Sequence, residues 1–221
     1  MSSKHMSEKA LSILVGYLFG CFLTAELVAK KYAGKSSSQL GLSGNPGMVN
    51  IMSTLGFVPG MLTLLGDVMK CALAMLTVKL LFPQGDRPLL FYAGFGCALG
   101  HCFPFWRGFK GGKGAATTCA LVILYSLPWG LIALAGSGLL VIITKYLCLS
   151  GPLVPLIYAL GMFLEKDYEA AVLSLILSLI ALRLHWPFIM GIRTGTTRKD
   201  DVLAAVKKKL KKKDKKNSDS D

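Results

Sequence analysis

Two glycine-rich segments and a few isolated titratable side chains carry whatever chemistry this sequence can do. Gly100-His101-Cys102-Phe103-Pro104 runs into Gly108-Phe109-Lys110-Gly111-Gly112-Lys113-Gly114. Glycine lets backbone N–H groups come close to an anion, and successive N–H groups form a concave anion nest. Lys110 and Lys113 add point charge, and a helix beginning at Ala115 would aim its positive end at the same place. Lys113 with the Gly111–Gly114 backbone therefore reads as a phosphate cradle. The same residues also read as a flexible basic loop resting on anionic lipid headgroups. The loop is not a nucleotide-binding P-loop, because Arg107 stands at the first glycine position of that motif and Gly114 at its Ser/Thr position.

A second loop, Ser43-Gly44-Asn45-Pro46-Gly47 with Asn50 three residues on, combines turn chemistry with small polar side chains suited to phosphate or hydroxyl groups. Asp67 and Lys70 are three apart inside an apolar run, so they share a helix face. Charge within a membrane span is expensive and faces a polar interior. The pair reads either as a substrate contact or as a structural ion pair. His101 and His185 are each a candidate general base or a hydrogen-bonded structural residue. The HxxxxD spacing of a familiar acyltransferase class is absent, since Trp106 and Met190 stand where its aspartate would be.

The elements that must position these residues are apolar. Of the 221 residues, 53% are hydrophobic and 17% charged, against about 25% charged in soluble domains. The charges also cluster, with 11 of the 25 basic residues between Arg193 and Lys216. A soluble enzyme, a disordered chain and a disulfide-rich secreted domain are excluded. The expected fold is an all-α integral membrane protein of about seven transmembrane helices with glycine-rich cytoplasmic loops. A polar segment covers residues 1–10, a polytopic domain 11–192 and a basic cytoplasmic tail 193–221. No cleaved signal peptide is expected, so the first apolar run, Leu11–Ala29, reads as a retained span. Thr54–Phe82 and Leu89–Pro104 follow, then two short helices within Ala115–Tyr146 joined by a turn at Pro128, then Leu153–Leu164 and Ala170–Arg183. Five longer spans are the alternative.

Lysine and arginine favour cytoplasmic loops. They concentrate at Lys30, Lys31 and Lys35, at Arg107, Lys110 and Lys113, and in the tail. That places the N-terminus outside and both glycine loops and the C-terminus in the cytoplasm, in a plasma membrane. Val202–Lys216 reads either as a basic amphipathic helix on anionic lipid headgroups or as a disordered solubilising tail. Nucleic-acid binding has no motif behind it. The six cysteines all sit in apolar runs without zinc or CxxC spacing, so neither a metal site nor a disulfide framework is expected.

Taken together, these segments resemble the PlsY-type family of integral-membrane acyltransferases. The resemblance runs from about Tyr17 to Gly195, and is most specific over His101–Pro104 and Phe109–Gly114 followed by Ala116-Thr117. It implies seven helices, no cofactor, and transfer of an acyl group from acyl-phosphate to glycerol 3-phosphate, giving lysophosphatidic acid. By the same resemblance Ser43, Lys113 and His185 are catalytic. Gly44, Asn45, Gly47, Asn50, His101, Lys110, Gly111, Gly112, Gly114 and Thr117 bind substrate or phosphate, and Asp67 and Lys70 are polar intramembrane residues. The sequence departs from the family pattern at Met48 and Val49, at Ser53 in place of an arginine, and at Phe188, Gly191 and Thr197 in place of asparagine, arginine and glutamate. Those departures leave two alternatives: a relative that uses another acceptor, and a non-catalytic lipid-binding or transport protein.

Overall fold

A computed structural model describes residues 3–41, 44–197 and 199. The described residues form nine α-helices: α1 (Ser3–Gly20), α2 (Thr24–Ala33), α3 (Met48–Leu55), α4 (Phe57–Leu81), α5 (Pro88–Cys102), α6 (Ala115–Tyr125), α7 (Leu127–Thr144), α8 (Ser150–Leu164) and α9 (Tyr168–Arg193). Six segments are long and apolar enough to cross a membrane, α1 and α2 counting as one, and α6 is a shorter apolar seventh. The helices carry large apolar side chains on their outward faces, Leu14, Leu65, Leu139, Leu160 and Leu179 among them. Such an exterior suits hydrocarbon, since every backbone polar group inside a bilayer must be satisfied by the protein itself. Together with its relatives, described below, this makes the chain an integral multi-pass membrane protein.

Several expected boundaries hold for local reasons. Ser126 takes an extended conformation and separates α6 from α7, with Pro128 in the first turn of α7, where a missing N–H costs nothing. Pro88 likewise opens α5. Two expected continuous spans are interrupted. Leu11–Ala29 is broken at Cys21–Leu23, between α1 and α2. Thr54–Phe82 is divided at Gly56, whose φ of 100° is open to glycine alone at low cost, so that Met48–Leu55 forms a separate short helix. Helix α1 also starts at Ser3, so residues of the polar segment 1–10 belong to the first helix rather than preceding it.

The frame is held by an unusually close pairing of α1 and α5. A Cβ added at Gly16 would lie 1.9 Å from Ala93 O, and one at Gly20 2.1 Å from Cys97 O. Reciprocally, a Cβ at Gly96 would lie 2.2 Å from Ile13 O, and one at Gly100 2.1 Å from Tyr17 O. Each helix thus presents a Gly-xxx-Gly face to the other. Between membrane helices, where lipid removes the hydrophobic drive, close backbone approach is the chief source of association. The main core lies beyond this seam, around Phe91, Leu121, Tyr125 and Tyr158. Phe91 stacks on Tyr158 at 5.9 Å and meets Tyr125 edge-on at 5.0 Å. All six cysteines are free thiols.

Candidate active site

The glycine loop sits where the frame is tightest. It follows α5 directly, and its backbone folds back on that helix. Gly111 N–H donates to Cys102 O and Gly112 N–H to His101 O, each at 2.9 Å. A Cβ at Gly111 would fall 2.1 Å from His101 O, and one at Gly112 2.0 Å from His101 Nε2. The loop therefore lies flat on the histidine, and only glycine fits at either position. This corrects the expected use of two donors. The N–H groups of Gly111 and Gly112 seat the loop on the end of α5. Gly114 supplies the entry to α6 with a φ of 75°. Thr117 is fully buried and its hydroxyl donates to Gly114 O at 2.9 Å, so it stiffens the entry from inside.

Lys113 leaves the loop toward α9. Its Nζ lies 3.4 Å from the centre of the Phe188 ring, a cation–π contact. Burial lowers its pKa from the ordinary lysine value, with a smaller opposing pull from Cys148. His185 is one turn before Phe188 and is buried, with Gly151 of α8 packed on its ring. Its Nδ1 lies 2.8 Å from Ala181 O. A carbonyl only accepts, so Nδ1 carries the proton and the lone pair of a neutral ring is on Nε2. Lys110 is exposed on the loop's outer side.

The end of α9 explains two departures from the family pattern. Thr197 Oγ1 donates to Phe188 O at 2.6 Å, and a Cβ at Gly191 would fall 2.4 Å from that same Oγ1. Gly191 and Thr197 are thus a matched small pair that closes the helix terminus without charge. An arginine at 191 has no room while Thr197 holds this position.

The other glycine loop is tied to the first through charge. Glu26 on α2 is buried and its Oε2 accepts from Ser37 N at 3.0 Å, Ser37 Oγ at 2.6 Å and Ser36 Oγ at 3.1 Å. Arg107 Nη1 lies 3.4 Å from both Glu26 Oε2 and Ser37 Oγ. Glu26 and Arg107 lie far apart in the sequence, and only the fold joins them. Asn50 is buried and donates to Leu40 O at 2.9 Å. A Cβ at Gly41 would meet its Oδ1 at 2.3 Å, so Asn50 braces the loop from below. Gly44 approaches Ser38 O, and Gly47 N–H donates to Asn45 O at 2.9 Å. Ser43 lies outside the described residues. Ser53 is exposed and donates to Asn50 O at 3.0 Å.

The structure thus brings Lys113 to the Phe188 ring and within electrostatic reach of His185, and ties the segment before the Gly44–Gly47 loop to Arg107 of the first loop through Glu26. It sends Asn50, Thr117, Asp67 and Lys70 inward. The site sets the Lys113 ammonium over an aromatic ring of α9, on the loop that enters α6, with the neutral ring of His185 one turn away on the same helix.

The model of one protein family, described as glycerol-3-phosphate acyltransferase, matches residues 10–195. Glycerol-3-phosphate acyltransferase 1 of Lactobacillus johnsonii is 38% identical over 207 residues, covering 92% of this chain and 98% of its own length. The protein of the same name from Lactobacillus acidophilus is 36% identical, covering 89% and 94%. The glycerol-3-phosphate acyltransferase of Thermotoga petrophila is 32% identical, covering 84% and 93%. Among solved structures, the glycerol 3-phosphate form of PlsY (YgiH), an integral membrane glycerol 3-phosphate acyltransferase, superposes with a TM-score of 0.76. It is 24% identical and covers 90% of this chain and 98% of its own, a likeness of fold.

Proposed function

The chain belongs to the glycerol-3-phosphate acyltransferase family, and from that premise we propose how its own residues do the work. The protein is a membrane enzyme that acylates a hydroxyl of glycerol 3-phosphate and yields lysophosphatidic acid. The donor in this reading is an acyl-phosphate. The hydroxyl oxygen attacks the acyl carbonyl, the bond from carbonyl carbon to phosphate oxygen breaks, and inorganic phosphate leaves. The hydroxyl proton passes to Nε2 of His185 or to the acceptor's own phosphate. Because the donor already carries a good leaving group, the protein's task is to hold two anionic substrates together and to gather positive charge where oxyanions develop.

The observation that carries this reading is the placement of Lys113, on the loop that enters α6, against the Phe188 ring one turn from His185. Lys113, with the N–H groups of Gly114 and the first turn of α6, holds phosphate. Lys110 draws anions to the loop. Gly44, Asn45 and Gly47 line the acceptor side, with Asn50 bracing them; the catalytic role given to Ser43 falls outside the described residues. Arg107, paired with Glu26, braces the two loops against each other at the same end of the molecule. The apolar outer faces of the helices take the acyl chain. The glycine loops and the C-terminus face the cytoplasm of a plasma-membrane protein, with the N-terminus outside. Residues 11–192 form the catalytic domain, and the tail, including Val202–Lys216, which lies outside the described residues, rests on anionic headgroups.

The test is lysophosphatidic acid formation by purified wild type and Lys113→Ala, with acyl-phosphate, with and without glycerol 3-phosphate. Product from wild type at a rate well above the variant is expected. Donor consumed without that product would assign a different acceptor, which the loss of the arginine at position 53 would favour. No turnover by either protein would remove the catalytic reading.

A further inference from the structure

One buried polar cluster is left unused by the roles assigned above. Asp67 and Lys70 lie on α4 and His101 near the end of α5, with 1%, 4% and 3% of their surfaces exposed. Lys70 Nζ lies 2.9 Å from Asp67 Oδ1 and 2.8 Å from His101 Nδ1. It also lies 2.9 Å from Phe22 O and 3.3 Å from Gly20 O. An ammonium has three hydrogens and accepts nothing. Gly20 O, Phe22 O and His101 Nδ1 take all three, with Asp67 as the close counter-charge, so Lys70 has nothing left for a substrate. Its contact with His101 also settles that ring. Nδ1 accepts, and the ring proton of the neutral imidazole is on Nε2, which is the atom lying against Gly112.

The two carbonyls are no accident of packing. They belong to the break between α1 and α2, where residues 21–23 leave the helix and their neighbours lose intrahelical partners. Trp106 Nε1 takes a third carbonyl there, Cys21 O, at 2.8 Å. Tyr17 of α1 donates to Phe103 O at 2.7 Å, just after α5. The break is therefore fastened both to the cluster and to the segment that leads into the glycine loop.

Burying two charges in a membrane span is a poor route to stability. Apolar side chains of similar volume commonly do better, and the glycine seam already packs α1 on α5. What the charges supply is direction. We propose that Asp67, Lys70 and His101 form a positioning triad for the glycine loop. Asp67 holds the ammonium, the ammonium sets the rotamer and tautomer of His101, and His101 seats Gly111 and Gly112 through its carbonyl and ring. Lys113, one residue on, then reaches the phosphate site at a defined place. The inference rests on the role given to Lys113 above, and its residues touch no substrate.

The experiment is a double-mutant cycle in steady-state kinetics for glycerol 3-phosphate, with thermal unfolding measured on each purified protein. The variants are the charge-neutral pair Asp67→Asn with Lys70→Met, Lys113→Ala, and all three together. A misplaced Lys113 raises KM and lowers kcat/KM by about tenfold in the pair, yet changes the Lys113→Ala enzyme by less than about threefold, because residues acting through one group are not additive. A purely structural role would lower the yield of folded enzyme or its melting temperature while leaving KM unchanged, and would cost the same factor in both backgrounds. Either result would overturn the triad. If the pair does not fold, His101→Gln, which leaves both buried charges in place, is read in the same cycle by the same criteria. A Lys113→Ala enzyme with wild-type kinetics would overturn the assignment of Lys113 itself, and with it the triad's target. The two failures are therefore distinguishable.

Discussion

At the end of the bundle that gathers the start of α1, the α4–α5 turn, the α6–α7 turn and the α8–α9 turn, charges close on one another. Lys9 pairs with Glu169, and His5 lies 3.6 Å from Asp86. Arg87 donates to Tyr125 O at 2.8 Å and lies 4.4 Å from the centre of that ring, while the Tyr125 hydroxyl donates to Asp167 at 2.6 Å. Trp129 donates to Glu165 at 3.0 Å. At the opposite end the pattern changes. Lys110 is exposed, Lys113 faces an aromatic ring, and the charges that are paired there, Glu26 and Arg107, brace a loop. One end uses its charge to hold helices together, and the other leaves Lys110 exposed and Lys113 over an aromatic ring, the two cations proposed above to meet an anion. The contrast teaches that charge near a membrane surface has two uses, told apart by whether an opposite charge within the fold already answers it.

If that comparison is right, substitutions at the two ends separate activity from stability. The largest effect is expected for Lys113→Ala. Losing a charged donor costs about 1.5–3 kcal/mol, so kcat/KM for glycerol 3-phosphate falls by about 10–100-fold with little change in melting temperature. A wild-type rate would break the comparison at its centre. At the other end, Arg87→Gln removes a charge-assisted hydrogen bond and a cation–π contact, about 1–2 kcal/mol of stability together. A lower melting temperature with kcat/KM within about twofold of wild type is expected, and a selective loss of activity would erase the distinction.

Phe188→Leu sharpens it. The ring and the phosphate compete for the Lys113 ammonium, and an exposed cation–π contact is worth about 0.5–1 kcal/mol. KM for the phosphate substrate should fall by about two- to fivefold, and an increase would mean that the ring places the ammonium productively. The smallest effect is in pH dependence. Burial holds the Lys113 pKa below the ordinary lysine value. Phosphate binding through the ammonium is intact below that pKa and is lost as pH rises through it. Stability runs the other way: a depressed folded pKa contributes above the unfolded value, and that contribution is lost as pH falls through the folded one. The alkaline limb of kcat/KM should therefore begin below that of an ordinary lysine, and Lys113→Arg should move it upward. An unmoved limb would assign it to another group.

Much of this architecture was legible in the residues. The long apolar runs set the helices, Pro128 set a turn, and glycine with lysine at 108–114 marked the candidate loop. These are local properties, since helix length, proline sterics and glycine freedom depend on a few neighbouring residues. The break at Cys21–Leu23 was not legible. Its run contains no proline, and the groups that satisfy its carbonyls come from Lys70 and Trp106, far along the chain. The use of Gly111 and Gly112 was hidden for the same reason. Composition says that their N–H groups are approachable, but only the path of the backbone says that His101 and Cys102 reach them first.

What the amino-acid sequence determined by itself is therefore the membrane-spanning helical class and the supply of cations in the glycine loop, because these follow from counting apolar and charged residues along a chain. What only the tertiary structure decided is which of those charges are free. Lys70 and Lys113 are the same residue type in neighbouring motifs, yet one is surrounded by four acceptors and the other faces a ring. The difference lies in the buried groups that each one meets, and inside a bilayer every such group must find its partner within the protein.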